Sequence, residues 1–265
     1  MTGAPRVGVT RGSGHAPPAL IRLLERSESL AIVPLVDPAL PPAGLALVVE
    51  AGGEGPPDAD AATQRIGILL RSLPTGVPVV ALVEERLVAE LAPPARTGGR
   101  LLGLHLVHAG DEAGRPPLAE LVVPAGADPV IADGILDLLA GAGVEAVPCG
   151  DQPGRVVRRL EQHLAEVRRV VHAAGRVDAE TIDLLLVNEA YRAADDGAAG
   201  ADDLDRLVVG AGIRAEGPFA FAGRLGLRRV VTELHALARA AEERGDRELG
   251  ALAAPTPLLW RIATV

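Results

Sequence analysis

The chain has 265 residues, 48% of them apolar and 23% charged, with four aromatic side chains in all, a composition that excludes a disordered tail and suits one large or two modest folded domains. Its 26 cations are all Arg, which removes Walker-lysine and imine chemistry, and its net charge of −9 opposes a phosphate-backbone binder, so no nucleic-acid partner is expected. Cys149 is the single cysteine, no basic start precedes an apolar stretch in Met1 to Gly12, and no run approaches 18 apolar residues. These features give the expectation of a cytoplasmic protein with no membrane partner.

In the first half, short apolar runs bounded by Gly and Pro read as strands at Arg6–Thr10, Leu30–Val36, Leu45–Val49, Val77–Val83, Leu101–Val107 and Leu118–Val123. They are apolar on both parities, as in a parallel sheet covered on both faces. Helices are expected between them at Pro17–Arg26, Ala59–Leu73, Glu84–Leu91 and Pro129–Ala142, and this alternation predicts a doubly wound α/β domain over residues 1–150. After Gly150 the texture changes. Val156, Val157, Leu160, Leu164, Val167, Val170 and Val171 form a stripe of period 3.6, with Arg155, Arg158, Arg159, Arg168 and Arg169 largely off it, and residues 151–265 read as an all-α domain. The segments 174–183 and 196–205 echo one another at an offset of 22, each with a Gly that stops one helix before acidic residues that start the next.

The order of short motifs in this chain resembles the 3-hydroxyacyl-CoA dehydrogenase family. The residues concerned are Leu47 to Ala51, Gly103-Leu104-His105, Leu118 to Val122, Asp151-Gln152-Pro153-Gly154, Asn188-Glu189-Ala190, Asp196 to Ala199, Leu204-Asp205, Gly210-Ala211-Gly212, Gly217-Pro218-Phe219 and Leu225-Gly226-Leu227. The resemblance implies an N-terminal Rossmann-like domain for NAD, a helical C-terminal domain that forms a homodimer, and hydride transfer from a 3-hydroxyacyl-CoA.

A dinucleotide loop needs glycines where the backbone turns and approaches the pyrophosphate. After the first strand, Gly12 and Gly14 supply the first two, and Pro17 stands at the third position, comfortable at a helix start. Asp37, 23 residues after Gly14, sits where a ribose-binding acid is expected, although an Asp before Pro is equally a turn starter. Glu50 ends a strand and suits either helix capping or a contact on the cofactor side. The link from Asp37 to Glu50 is short, where the family has a helical excursion that helps hold CoA.

By resemblance His105 is the general base and Glu120 its partner carboxylate. An imidazole with a reference pKa of about 6.5 can take a hydroxyl proton, and a carboxylate fixes its tautomer and stabilises the imidazolium. His108 and Arg158 stand where the family has amides, and Leu82-Val83-Glu84-Glu85 replaces its hydroxyl-bearing segment. Strand residues three apart should face opposite sides, so His105, His108 and Glu120 are not expected to form a metal site. Three readings are open: a dehydrogenase acting on an acyl-CoA substrate, a catalytically silent dimeric binding or assembly protein of the same fold, and an oxidoreductase for a hydroxy acid that carries no CoA.

Overall fold

The computed structural model describes residues 3–10, 18–51, 59–84, 86–92, 97–110, 114–173, 175 and 178–264. The chain divides into two compact units, Met1–Arg155 and Val156–Val265. In the first, seven strands, β1 (Arg6–Thr10), β2 (Ala31–Leu35), β3 (Leu47–Glu50), β4 (Val79–Leu82), β5 (Leu101–His108), β6 (Leu118–Val123) and β7 (Glu145–Gly150), form one sheet in the order β2-β1-β3-β4-β5-β6-β7. Helices cover both faces. On one, α1 (Ala19–Arg26) and α4 (Pro129–Gly141) bury Leu20, Ile21, Leu24, Ile135 and Leu139 against Val7, Val49, Leu104 and Leu121. On the other, α2 (Ala59–Ser72) and α3 (Val88–Leu91) bury Ile66, Leu69, Val88 and Leu91 against Val48, Val79, Leu101 and Val122. This is a doubly wound, Rossmann-like sheet, as the alternation of patterns implies.

The expectation of a parallel sheet holds only as far as β5. The β6 strand runs antiparallel to β5, and β7 is parallel to β6, so the sheet is mixed. Burial on both faces makes a strand apolar on both parities whichever way it runs, so the sequence pattern carries no direction. Two further expectations change. β7 is absent from the sequence pattern, because Glu145-Ala146-Val147-Pro148-Cys149-Gly150 mixes a charge and a proline into a short run; and the helix expected from Glu84 begins only at Val88, where the Asp151 carboxylate accepts from the N–H groups of Val88 and Ala89 at 2.8 Å each. Pro34 sits in β2, an edge strand, where a missing ladder donor is tolerated. The connection from β2 to β3, residues 36–46, contains no helix; its Leu45 packs with Leu35 and Val48 against the bare Cα of Gly8, where a Cβ would lie 3.1–3.2 Å from all three.

The second unit is helical: α5 (Val156–Ala173), α6 (Ala179–Asp195), α7 (Ala201–Gly210), α8 (Pro218–Leu225), α9 (Leu227–Glu243), α10 (Arg247–Ala253) and α11 (Pro257–Ala263). The α5 stripe is buried residue for residue as its period requires. Gly175 and Gly197, the helix-stopping glycines of the 22-residue echo, have φ of 67° and 75°.

The resemblance motifs of this unit are fastenings. Asn188, 1% exposed, donates from Nδ2 to the carbonyls of Leu252 and Ala254 at 2.9 and 2.8 Å and accepts from the Thr256 N–H at 2.9 Å, tying α6 to the α10–α11 turn. Asp205 accepts from the N–H groups of Phe219 and Ala220 at 2.7 and 2.8 Å, capping α8 from α7. Glu189 takes Arg159 at 2.7 Å and Arg192 at 2.8 Å. Among the described residues no helix is long and apolar enough to cross a membrane.

Candidate active site

The β5–β6 pair places His105 directly opposite Glu120, and cross-strand partners share a face with Cβ atoms roughly 4.5–5.5 Å apart. Glu120 is fully buried and His105 half-buried, both on the face that α2 and α3 cover. Gly103, two residues earlier on the same face, makes room for that cover. A Cβ there would stand 2.6 Å from the Val88 methyl, 2.8 Å from that of Val83 and 3.0 Å from Val122 Cβ. The glycine of Gly103-Leu104-His105 thus lets α3 rest on β5 one pleat from the imidazole.

His108 departs from the parity expectation. Between Leu106 and His108 the register shifts, so that Leu106 opposes Ala119 while His108 opposes Leu118. Val107 is the extra residue of a β-bulge, which reverses the alternation in the rest of the strand. Leu118 shares its face with Glu120, so His108 lies on the same face as His105, not on the opposite one. Its Nδ1 accepts from the Gly110 N–H at 3.1 Å, which fixes the neutral ring with its proton on Nε2. No group of three His, Cys, Asp or Glu able to hold a metal occurs among the described residues.

Of the residues expected on the cofactor side, Asp37 and Glu50 lie at the C-terminal ends of β2 and β3. β2 and β3 flank β1, so the connections leaving β1 and β2 run in opposite directions, and such a switch point opens a crevice at the strand ends. Asp37 is exposed just past β2, its Oδ1 accepting from the Ala39 N–H at 2.8 Å and so starting a turn, beside Val36 (97% exposed) and Leu40 (79% exposed). Glu50, 3% exposed at the end of β3, receives Nε of Arg65 from α2 at 2.6 Å. Thr10 ends β1 and its Oγ1 accepts from the Ala51 N–H at 3.3 Å. The first turn of α1 carries no acid. A switch point, an exposed acid past β2 and an acid-free helix start fit an NAD-type dinucleotide. Gly12 and Gly14 lie outside the described residues.

Arg158 is exposed on α5, in the second unit. The cation that sequence reasoning missed is Arg155, the last residue of the first unit and 3% exposed. Periodicity groups it with the helical arginines, but it precedes α5 with φ of 52°, next to Gly154 at φ 85°, and that turn carries its side chain into the fold. Its Nη2 donates to the Arg86 carbonyl. The positive φ demanded at both 154 and 155 cannot be read from periodicity.

No sequence family and no curated protein matches this chain. Solved structures do resemble it. A 3-hydroxybutyryl-CoA dehydrogenase from Escherichia coli superimposes over 99% of both chains with a TM-score of 0.68 at 13% identity. A 3-hydroxyacyl-CoA dehydrogenase from Archaeoglobus fulgidus gives a TM-score of 0.56 at 17% identity, over 97% of this chain and 86% of that one. A 5-formyl-3-hydroxy-2-methylpyridine 4-carboxylic acid 5-dehydrogenase, an NAD+-dependent dismutase, gives 0.51 at 14% identity, over 98% and 94%. At these identities the likeness is one of fold, and the chain has the fold of the 3-hydroxyacyl-CoA dehydrogenases.

Proposed function

We propose that the protein is an NAD-dependent dehydrogenase that oxidises a 3-hydroxyacyl-CoA to the 3-oxoacyl-CoA. The observation that carries this reading is the pairing of His105 with the buried Glu120 across β5 and β6. His105 takes the proton of the substrate's C3 hydroxyl as the C–O bond becomes a carbonyl. Glu120 holds the ring in the tautomer that accepts and stabilises the imidazolium, a role general bases of this kind need in a water-poor setting. Bound NAD supplies the acceptor for the hydride that leaves C3. Asp37 would meet the ribose hydroxyls and Gly12 and Gly14 the pyrophosphate, while Arg65 neutralises Glu50 at the crevice edge. His108, on the same face as the base, would face the substrate.

The helix-free link of residues 36–46 favours a second substrate class within the same chemistry, a hydroxy acid without CoA, since no helical excursion is present there to cradle the nucleotide tail. The NAD+-dependent fold neighbour named for a pyridine carboxylic acid supports that class. Homodimerisation through the helical unit belongs to the reading as well, and sedimentation velocity at micromolar concentration tests it.

The deciding experiment follows NADH at 340 nm with 3-hydroxyacyl-CoA substrates of four to sixteen carbons, and with the free acids. Wild type is expected to turn over at least one, and His105→Ala to lower kcat by about 10²–10⁴-fold, the usual worth of a positioned base. Absence of NADH from every substrate refutes the dehydrogenase and leaves a silent binding protein of the same fold.

A further inference from the structure

Arg155 carries more donors than the protein satisfies. Its side chain is 1% exposed, yet Nε and Nη1 have no hydrogen-bond partner. The nearest ion pair, Nη1 to Asp151 Oδ1, is long at 3.9 Å, and both Asp151 oxygens are already taken by the N–H groups of Val88 and Ala89. Burial lowers the guanidinium's affinity for its proton, and the carboxylates of Asp151 and Glu120 and the Cys149 thiol act in the opposite sense. The contacts around it locate the group: Arg155 donates to the Arg86 carbonyl, Asp151 holds the Val88 N–H, and the Val88 methyl covers Gly103, two residues before His105 on the face that Glu120 shares. A buried guanidinium with unmet donors is held there against a desolvation cost and, at φ of 52°, against backbone strain, and such strain concentrates where a ligand uses it.

We propose that Arg155 binds the C1 oxygen of the substrate, donating to it from Nε and Nη1 beside the His105–Glu120 pair. The inference rests on the reading of that pair as the reacting centre. In a 3-hydroxyacyl compound C1 stands two carbon–carbon bonds from the hydroxyl carbon, so a donor fixed at the C1 oxygen sets which enantiomer presents its C3 hydroxyl to the base. The planar guanidinium serves a thioester carbonyl and a free carboxylate with the same donors. The ligand chemistry is therefore an acyl oxygen, presented by either source.

The test uses the full chain without NAD, so that binding is read apart from turnover. Acetoacetyl-CoA and acetoacetate are titrated by calorimetry into wild type, Arg155→Met and Arg155→Lys. At least one ligand is expected to bind wild type, to weaken about 10–100-fold in Arg155→Met, the loss of a hydrogen-bonded charge, and to recover in part in Arg155→Lys. Acetoacetate responding alone assigns a free carboxylate, and acetoacetyl-CoA responding alone assigns the thioester carbonyl. Equal binding by wild type and Arg155→Met, or no binding of either ligand at millimolar concentration, overturns the inference. If thermal melts show that Arg155→Met does not fold, Arg155→Lys decides by the same comparison. Arg155-dependent binding without any NADH formation removes the dehydrogenase and leaves this inference standing; turnover with Arg155-independent binding does the reverse.

Discussion

The contact between Asp205 and Gly217 allows a mutational cycle whose sign is set by geometry. Gly217 precedes α8 with φ −70° and ψ 153°, a conformation open to any L residue, yet a Cβ added there would lie 2.2 Å from Asp205 Cγ, 2.3 Å from Oδ1 and 2.4 Å from Cβ. Gly217→Ala must therefore push the Asp205 carboxylate off the N–H groups of Phe219 and Ala220. Losing the cap costs about 0.5–2 kcal/mol and crowding a further 1–3, so a destabilisation of about 2–4 kcal/mol is expected. Asp205→Gly loses the same cap and adds roughly 0.5–1 kcal/mol for a helical glycine. In the Asp205→Gly background the three nearest atoms are gone, and Gly217→Ala should then lie within about 0.5 kcal/mol of neutral, because the restriction alanine puts on the unfolded chain offsets its poorer N-cap. The coupling energy is about 2–4 kcal/mol, which in a unit of about 100 residues corresponds to about 10–30 °C in melting temperature. Trp260, the single tryptophan, packs edge-on to His235 at 5.0 Å and reports unfolding of this unit by fluorescence in urea. If Gly217→Ala costs the same with and without the Asp205 side chain, the steric argument is wrong.

Two further outcomes concern the same unit. Asn188→Leu strands two carbonyls and one N–H at the α10–α11 turn, and urea melts should show a loss of about 2–4 kcal/mol, whereas a loss under about 1 kcal/mol would mean that water replaces the amide. His163 is held below the usual histidine pKa chiefly by burial, with the Arg192 and Arg159 cations acting the same way; the Glu189 carboxylate 3.7 Å from Nδ1 and the Nε2 bond to the Leu185 carbonyl oppose the shift. Because the unfolded chain binds this proton more readily, stability is full above about pH 6.5 and falls as pH drops through the folded value. Urea midpoints at pH 7.5, 6.5 and 5.5 should decline in wild type and decline less in His163→Gln; parallel declines would exclude His163 as the source.

The layers of the fold are legible in the sequence because burial leaves a mark on composition. β1 to β6 stand out as short apolar runs, and the buried face of α5 can be read one residue at a time. What stays hidden depends on partners distant in sequence. The direction of β6 leaves no trace in a strand covered on both faces, and the start of α3 is set by Asp151, 63 residues away. In the candidate site, His105 and Glu120 come from the resemblance, and the structure sets them in register. Parity places His108 on the wrong face because one unpaired residue, Val107, breaks the alternation on which that assignment relies. Arg155 escapes notice because a helical wheel has no place for a residue turned inward by a left-handed backbone. The motif residues Asn188, Asp205 and Gly217 of the second unit are legible for a structural reason: each serves a contact that a different side chain would break.

The extra residue in β5 also uncouples spacing from geometry. Were Val107 deleted, regular pairing would bring the second histidine opposite Leu118 by another route, and both imidazoles would still look out from one side of the sheet. His-x-His and His-x-x-His are thus interchangeable spellings of one arrangement at this point in the strand. A pattern search that insists on either interval would separate chains whose ring positions coincide, and alignments across this hairpin are better anchored on Glu120 than on a count of residues.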